Sequence, residues 1–127
     1  DIWLHEGFAC YAEWLWSENS GGRSADGWAR HYHQKLVTSP QNLLLADPGP
    51  RDMFDDRVYK RGAITLHVLR GTLGDDKFFK LLRDWTTRYR HGTAVTDDFT
   101  GLAANYAEVS LRPIWDAWLY SPRVPPL

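Results

Sequence analysis

Glu6, Cys10 and Glu13 stand four and three residues apart near the start of the chain, with His5 beside Glu6. Carboxylate, thiolate and imidazole are the groups that ligate zinc or move protons. His5-Glu6 looks like the opening of an H-E-x-x-H zinc motif, which needs a second histidine four residues after the first so that both face the metal. Position 9 is Ala9, so the motif is not there and Glu6 is not its general base. Neighbouring helix positions point about 100° apart, so His5 is not expected to share a metal with Glu6 and is placed at the surface. Glu13, seven residues after Glu6, falls on much the same helix side and is expected to be solvated or ion-paired. Cys10, one turn after Glu6, reads as a small buried thiol rather than a ligand. A hydrolase using it as nucleophile is a weaker reading, since no histidine is placed in the sequence as its partner. His31 and His33, two apart on a predicted helix, point to different faces, and His67 and His91 have no partner identifiable from spacing. All four are read as non-catalytic. Taken alone, Glu6 is an ordinary carboxylate near a helix start, favoured by the helix dipole.

The elements that must hold these residues are helical nearly throughout. Leu4, Phe8, Ala12 and Leu15 recur as one helix face, and that helix runs out at Asn19-Ser20-Gly21-Gly22. Ser24 is the expected N-cap of a second helix carrying Trp28, Tyr32 and Leu36, ended by Ser39-Pro40. Residues 40 to 56, with Asp47-Pro48-Gly49-Pro50, read as an irregular connection. Gly62, Leu66, Leu69 and Leu73 mark a third helix stopped by Gly74. Asp75 is expected to cap a fourth, with Phe78, Leu82, Trp85 and Tyr89, ending at His91-Gly92. Thr96 opens a fifth and Ser110 a sixth, with Pro113 in its first turn where proline is tolerated. The tail Ser121 to Leu127 is expected to leave the fold. No repeat and no strand alternation is visible. The pattern predicts one all-α, bundle-like domain of about six helices spanning residues 1–127.

The bulk numbers fit such a domain. The chain has 127 residues, 43% of them hydrophobic, enough for a real core. Fifteen Lys and Arg against sixteen Asp and Glu leave a net charge of −1, which argues against a nucleic-acid binder and against a polybasic membrane anchor. No apolar run approaches the roughly 20 residues of a membrane span. The single cysteine rules out an internal disulfide. The opening residues already look like folded protein and lack a signal peptide, so the chain reads as a piece excised from a longer protein, whose localisation is not legible.

Three motifs turn a helical domain into a functional expectation. Trp3-Leu4-His5-Glu6-Gly7-Phe8-Ala9, continuing to Tyr11 and Glu13, resembles the W-L-N-E-G-F-A segment of aminopeptidase N-like gluzincin metallopeptidases, with His5 in place of the usual Asn. Val58-Tyr59-Lys60-Arg61-Gly62-Ala63 resembles the family's Y-x-K/R-G-A segment at a helix start. Trp118-Leu119-Tyr120-Ser121-Pro122, followed by Pro125, resembles its closing W-L-x-x-P-x-x-P. The resemblance implies the α-helical C-terminal subdomain of a thermolysin-like metallopeptidase. It implies that Glu6 is the third protein ligand of one catalytic zinc, which takes three protein ligands and leaves a position for water. Gly7 would let another backbone come close to the ligand.

The same resemblance implies that Tyr59 donates its hydroxyl to the oxyanion of the tetrahedral intermediate. A phenol is neutral at pH 7 and a good donor; without the family pattern, Tyr59 is an ordinary buried Tyr. Arg61 is expected to pack or to pair with an acidic neighbour rather than touch substrate. In the family the H-E-x-x-H lies upstream, its second His followed by eighteen residues before the ligand Glu. Only five residues precede Glu6 here, so both His ligands and the general base are expected in an upstream part of the same domain. This piece alone is expected to be inactive and to hold zinc weakly. The implied substrates are peptides, cut from the N-terminus. The competing reading is a non-catalytic, peptidase-like interaction module, since fold alone does not prove activity.

Overall fold

The computed structural model describes residues 1–89 and 93–127, so the expected fourth-helix end at His91-Gly92 lies outside the described residues. Seven helices and no strand occur among them: α1 Ile2–Asn19, α2 Ala25–Val37, α3 Gly49–Asp52, α4 Asp56–Leu73, α5 Asp75–Tyr89, α6 Thr96–Ala104 and α7 Arg112–Trp118. The fold is all-α, as the periodicity predicts. The unexpected element is α3, a four-residue turn inside the proline-rich connection. A proline in the first turn costs a helix nothing, so its loop-like sequence hides a short helix.

Most helix ends follow local chemistry. The Ser24 hydroxyl accepts from Gly27 N–H and caps α2, and the Asp55 carboxylate accepts from Arg57 N–H and caps α4. Gly74 closes α4 at φ +84°, a conformation that suits glycine. Asp75 is one residue inside α5 rather than its cap, and its carboxylate is taken by Arg70 Nε at 2.9 Å. Ser110 also precedes its helix by more than expected, with Leu111 at the N-cap of α7. The start of α6 has a cap from far away. Val95 has no side-chain acceptor, and the Asp1 carboxylate accepts from Thr96 N–H at 2.8 Å and also from the Thr96 hydroxyl. Trp3 Nε1 donates to the same hydroxyl oxygen at 2.9 Å, so the start of α1 is tied to the start of α6.

The buried face of α1 is Trp3, Leu4, Gly7, Cys10, Tyr11 and Trp14. That differs from the expected Leu4–Phe8–Ala12–Leu15 stripe: Leu4 is buried, Phe8 and Leu15 are only partly so, and Ala12 is exposed. The reason is that glycine makes the closest contact. A Cβ on Gly62 would stand 2.9 Å from the Gly7 Cα and 3.2 Å from the Trp3 carbonyl, and a Cβ on Gly7 would stand 3.0 Å from Gly62. Thus α1 and α4 cross backbone to backbone. They run side by side in the same direction, with Gly7 at Gly62, Tyr11 at His67 and Glu18 at Arg70. The core continues through Phe78, Trp85, Phe99 and Trp115, with Phe99 edge-on to Trp3, Phe8, Trp85 and Trp115. Full burial of an apolar side chain of this size stabilises by about 1.5–3 kcal/mol.

The crossing gives a test of packing. Gly62→Ala should destabilise the intact protein by about 1–2 kcal/mol, because overpacking costs about 1–3 kcal/mol and the alanine returns at most about 1 kcal/mol of helix propensity. Gly71→Ala, in the same helix with open space around it, should be neutral or stabilising by up to about 1 kcal/mol. Denaturant midpoints of the two variants moving equally would show that the glycine contact is not tight.

The tail does not leave the fold. Arg61, 1% exposed, donates to the carbonyls of Ala117, Trp118, Ser121, Pro122 and Arg123. Val124 N–H donates to Gln41 Oε1 at 2.7 Å, and His33 Nε2 lies 2.7 Å from the Pro125 carbonyl. The expectation failed because backbone carbonyls leave no side-chain pattern to read.

Candidate active site

Glu6 lies on α1 one residue before the glycine crossing, and Tyr59 lies in the first turns of α4 just before Gly62. The close approach of the two helices therefore brings the two sequence-predicted site residues together. Each is partly buried. The ordinary range of the Tyr59 phenol is moved upward, first by partial burial and then by the negative charge of the nearby Glu6 carboxylate. Glu6 has no ion pair among the described residues, and the Tyr59 side chain lies close enough for a hydrogen bond to Glu6 to add to that shift.

Both ends of this arrangement are anchored. The Trp3–Thr96–Asp1 linkage fixes the first turn of α1. At the start of α4, the Arg57 guanidinium binds both Asp55 oxygens, the Asn42 side chain at 2.7 Å and the Pro40 carbonyl at 2.9 Å. The irregular connection is thereby fastened to the turn that carries Tyr59. The Arg57 bond holds the Asp55 carboxyl below the usual carboxylate range.

Two hollows open beside the first turns of α1. One, of about 300 Å³, is lined by Leu4, His5, Phe8, Trp85 and Tyr89 among others. Another, of about 290 Å³, includes Ile2, Pro48, Pro50 and Met53. Neither is lined by Glu6 or Tyr59. No group of three or more His, Cys, Asp or Glu side chains among the described residues could hold a metal ion. A zinc at Glu6 therefore needs its other protein ligands from outside these residues. As a single carboxylate donor without a competing cation, Glu6 fits that part of a ligand set.

The other candidates fall where chemistry puts them. His5 is exposed and lines a hollow, and Glu13 is exposed. Cys10 is buried, and burial pushes its thiol up to about 11, the opposite of what a nucleophile needs. His31 packs edge-on against Trp28 and Tyr32. Sequence reasoning missed a polar network on the far side of the crossing. The Tyr11 hydroxyl lies 2.8 Å from His67 Nδ1, and His67 Nε2 lies 3.0 Å from Asp26. Arg70 reaches Tyr11, Glu18 and Asp75, and these bonds raise its already high range, with Asp75 first among them. Apart from Arg70 and Asp75, five residues apart, the partners lie 41 to 59 residues apart, beyond any spacing argument. His91 lies outside the described residues.

Residues 1–118 match the family model described as the peptidase family M1 domain. The chain belongs to that family. It is 31% identical over 116 residues to the probable aminopeptidase 2 of Sulfurisphaera tokodaii, covering 78% of this chain and 14% of that protein. It is 28% identical over 134 residues to the aminopeptidase N of Streptomyces lividans, covering 94% and 15%. The crystal structure of an M1 zinc metallopeptidase from Deinococcus radiodurans superposes with a TM-score of 0.86 at 29% identity, covering 100% of this chain and 29% of that one. The chain thus spans less than a third of the length of each of these relatives. No helix among the described residues is long and apolar enough to cross a membrane.

Proposed function

We propose that this chain is the part of a zinc aminopeptidase that supplies the third metal ligand, Glu6, and the oxyanion donor, Tyr59. What supports the reading is the juxtaposition of a carboxylate without a counter-ion and a protonated phenol across one glycine-to-glycine helix crossing. Both residues stand within motifs that resemble the family's. A bound zinc would polarise the scissile carbonyl and activate water. This chain's own residues do the rest of their share. Glu6 offers a carboxylate from a helix whose first turn is tied down. Tyr59 offers, from the neighbouring helix and near the Glu6 carboxylate, an O–H that stays protonated at neutral pH. The two histidines and the general base come from the upstream part of the domain, and the substrates are peptides cut at the N-terminus.

The intact protein should hold one zinc per chain through dialysis and release the first residue of an unblocked peptide. The same peptide with an acetylated N-terminus should not be cut at that bond. A protein that holds no zinc and cuts neither peptide would leave Glu6 without a metal to bind and favour a binding scaffold.

A further inference from the structure

The Gly7–Gly62 contact lets α1 and α4 approach, but it does not set how they lie. Helices take their register from side-chain ridges seated in grooves, and a pair of glycines supplies no ridge. Rolling or sliding of α1 on α4 has to be resisted elsewhere. Just beyond the crossing, the buried Tyr11 of α1 meets His67 of α4 at 2.8 Å, and the opposite ring nitrogen meets Asp26 of α2 at 3.0 Å. Arg70 Nη1 donates to the Tyr11 oxygen at 3.3 Å.

With a neutral His67 ring, these contacts order the hydrogens. Asp26, whose carboxyl is held low first by Arg30 and then by His67, is an acceptor, so His67 Nε2 carries the hydrogen. The Tyr11 oxygen already accepts from Arg70, and its own hydrogen is left to donate to Nδ1. Burial pushes the Tyr11 phenol up to about 12, so that hydrogen stays in place. The result is one directed chain, Tyr11 to His67 to Asp26, running from α1 through α4 to α2. Tyr11 lies five residues after Glu6 and His67 eight after Tyr59, so each end of the bond is built rigidly onto a helix that carries a site residue.

We propose that Tyr11 and His67 are positioning residues: their hydrogen bond, held from behind by Asp26, sets the roll of α1 on α4 and so places the Glu6 carboxylate relative to the Tyr59 hydroxyl. The proposal rests on the roles given to Glu6 and Tyr59 above.

The test uses the intact, zinc-loaded protein with Tyr11→Phe, His67→Leu and the double variant. Tyr11→Phe keeps the ring, which also packs on Trp14 and Phe78, and so removes the hydroxyl's bonds to His67 and Arg70 without the packing. Each single variant should lower kcat about 10-fold with KM within about 2-fold, and should speed zinc loss to a chelator about 10-fold. The double variant should be no worse than the poorer single one, because both changes remove the same bond. Lower thermal stability with kcat and zinc loss unchanged would overturn the proposal, and so would single effects that multiply in the double variant. Tyr59→Phe separates the two readings. If it slows the enzyme and Tyr11→Phe does not, only the positioning role falls. If it leaves kcat unchanged, the site reading falls and this proposal with it.

Discussion

Tyr59→Phe in the intact protein is expected to lower kcat by about 10²–10³-fold, the usual size for losing one oxyanion donor. KM should stay within about 3-fold, because an interaction made only in the transition state leaves ground-state binding alone. The substitution removes one oxygen and leaves the ring and the α4 start, which is held by Asp55 and Arg57. The direction of the Tyr59 shift bears on pH. Partial burial first, and Glu6 second, raise the phenol's range, so the protonated, donating form persists above the ordinary tyrosine value of about 10. The donor is therefore in place across neutral and mildly alkaline pH. Steady-state kinetics on an aminoacyl chromogenic substrate at neutral pH, with both proteins, would read kcat and KM. An unchanged kcat for the Phe variant would remove Tyr59 from the mechanism.

What the sequence makes legible here is local. Ser24, Gly74 and the run after Asn19 mark helix ends because a cap or a positive φ needs particular residues within a few positions. Glu6 and Tyr59 stand out only through the motifs around them, and Gly7 could be suspected of a close approach. The partner in that approach, Gly62, was legible as a motif residue but not as the other half of the contact. The α1 face was misplaced for the same reason. A count of large apolar residues picks Leu4, Phe8 and Leu15, while the tightest face runs through Gly7 and Cys10, whose small size is what lets α4 come near. The Tyr11–His67–Asp26 chain was invisible because hydrogen bonds between distant helices follow no spacing rule. The pinned tail was invisible because its acceptors are carbonyls, which every residue has.

That tail yields the largest expected effect on stability. Arg61→Met should destabilise the intact protein by about 2–4 kcal/mol, with the tail from Ser121 onward becoming the first site of proteolysis. The guanidinium serves the last carbonyls of α7, at Ala117 and Trp118, and three more in the tail. It thus replaces a helix C-cap and holds the tail at once, with a positive charge at the negative end of the helix dipole. No carboxylate pairs with it among the described residues. Burial lowers its range to about 10, still well above neutral pH, so the charge persists and its desolvation is offset by the five acceptors. Methionine fills a similar length but donates nothing. Carbonyls left buried without a donor cost about 1–3 kcal/mol each, while those near the surface regain water and relief of the buried charge returns part of the loss. These opposing contributions put the net change at about 2–4 kcal/mol. Arg61→Lys should fall between wild type and Met, since an ammonium has three donors and no planar fork to reach five carbonyls. Denaturant unfolding with limited proteolysis would decide it. A Met variant within about 0.5 kcal/mol of wild type, the scatter of an ordinary surface change, would mean that water replaces the clamp and that the tail is held by Gln41 and His33 instead.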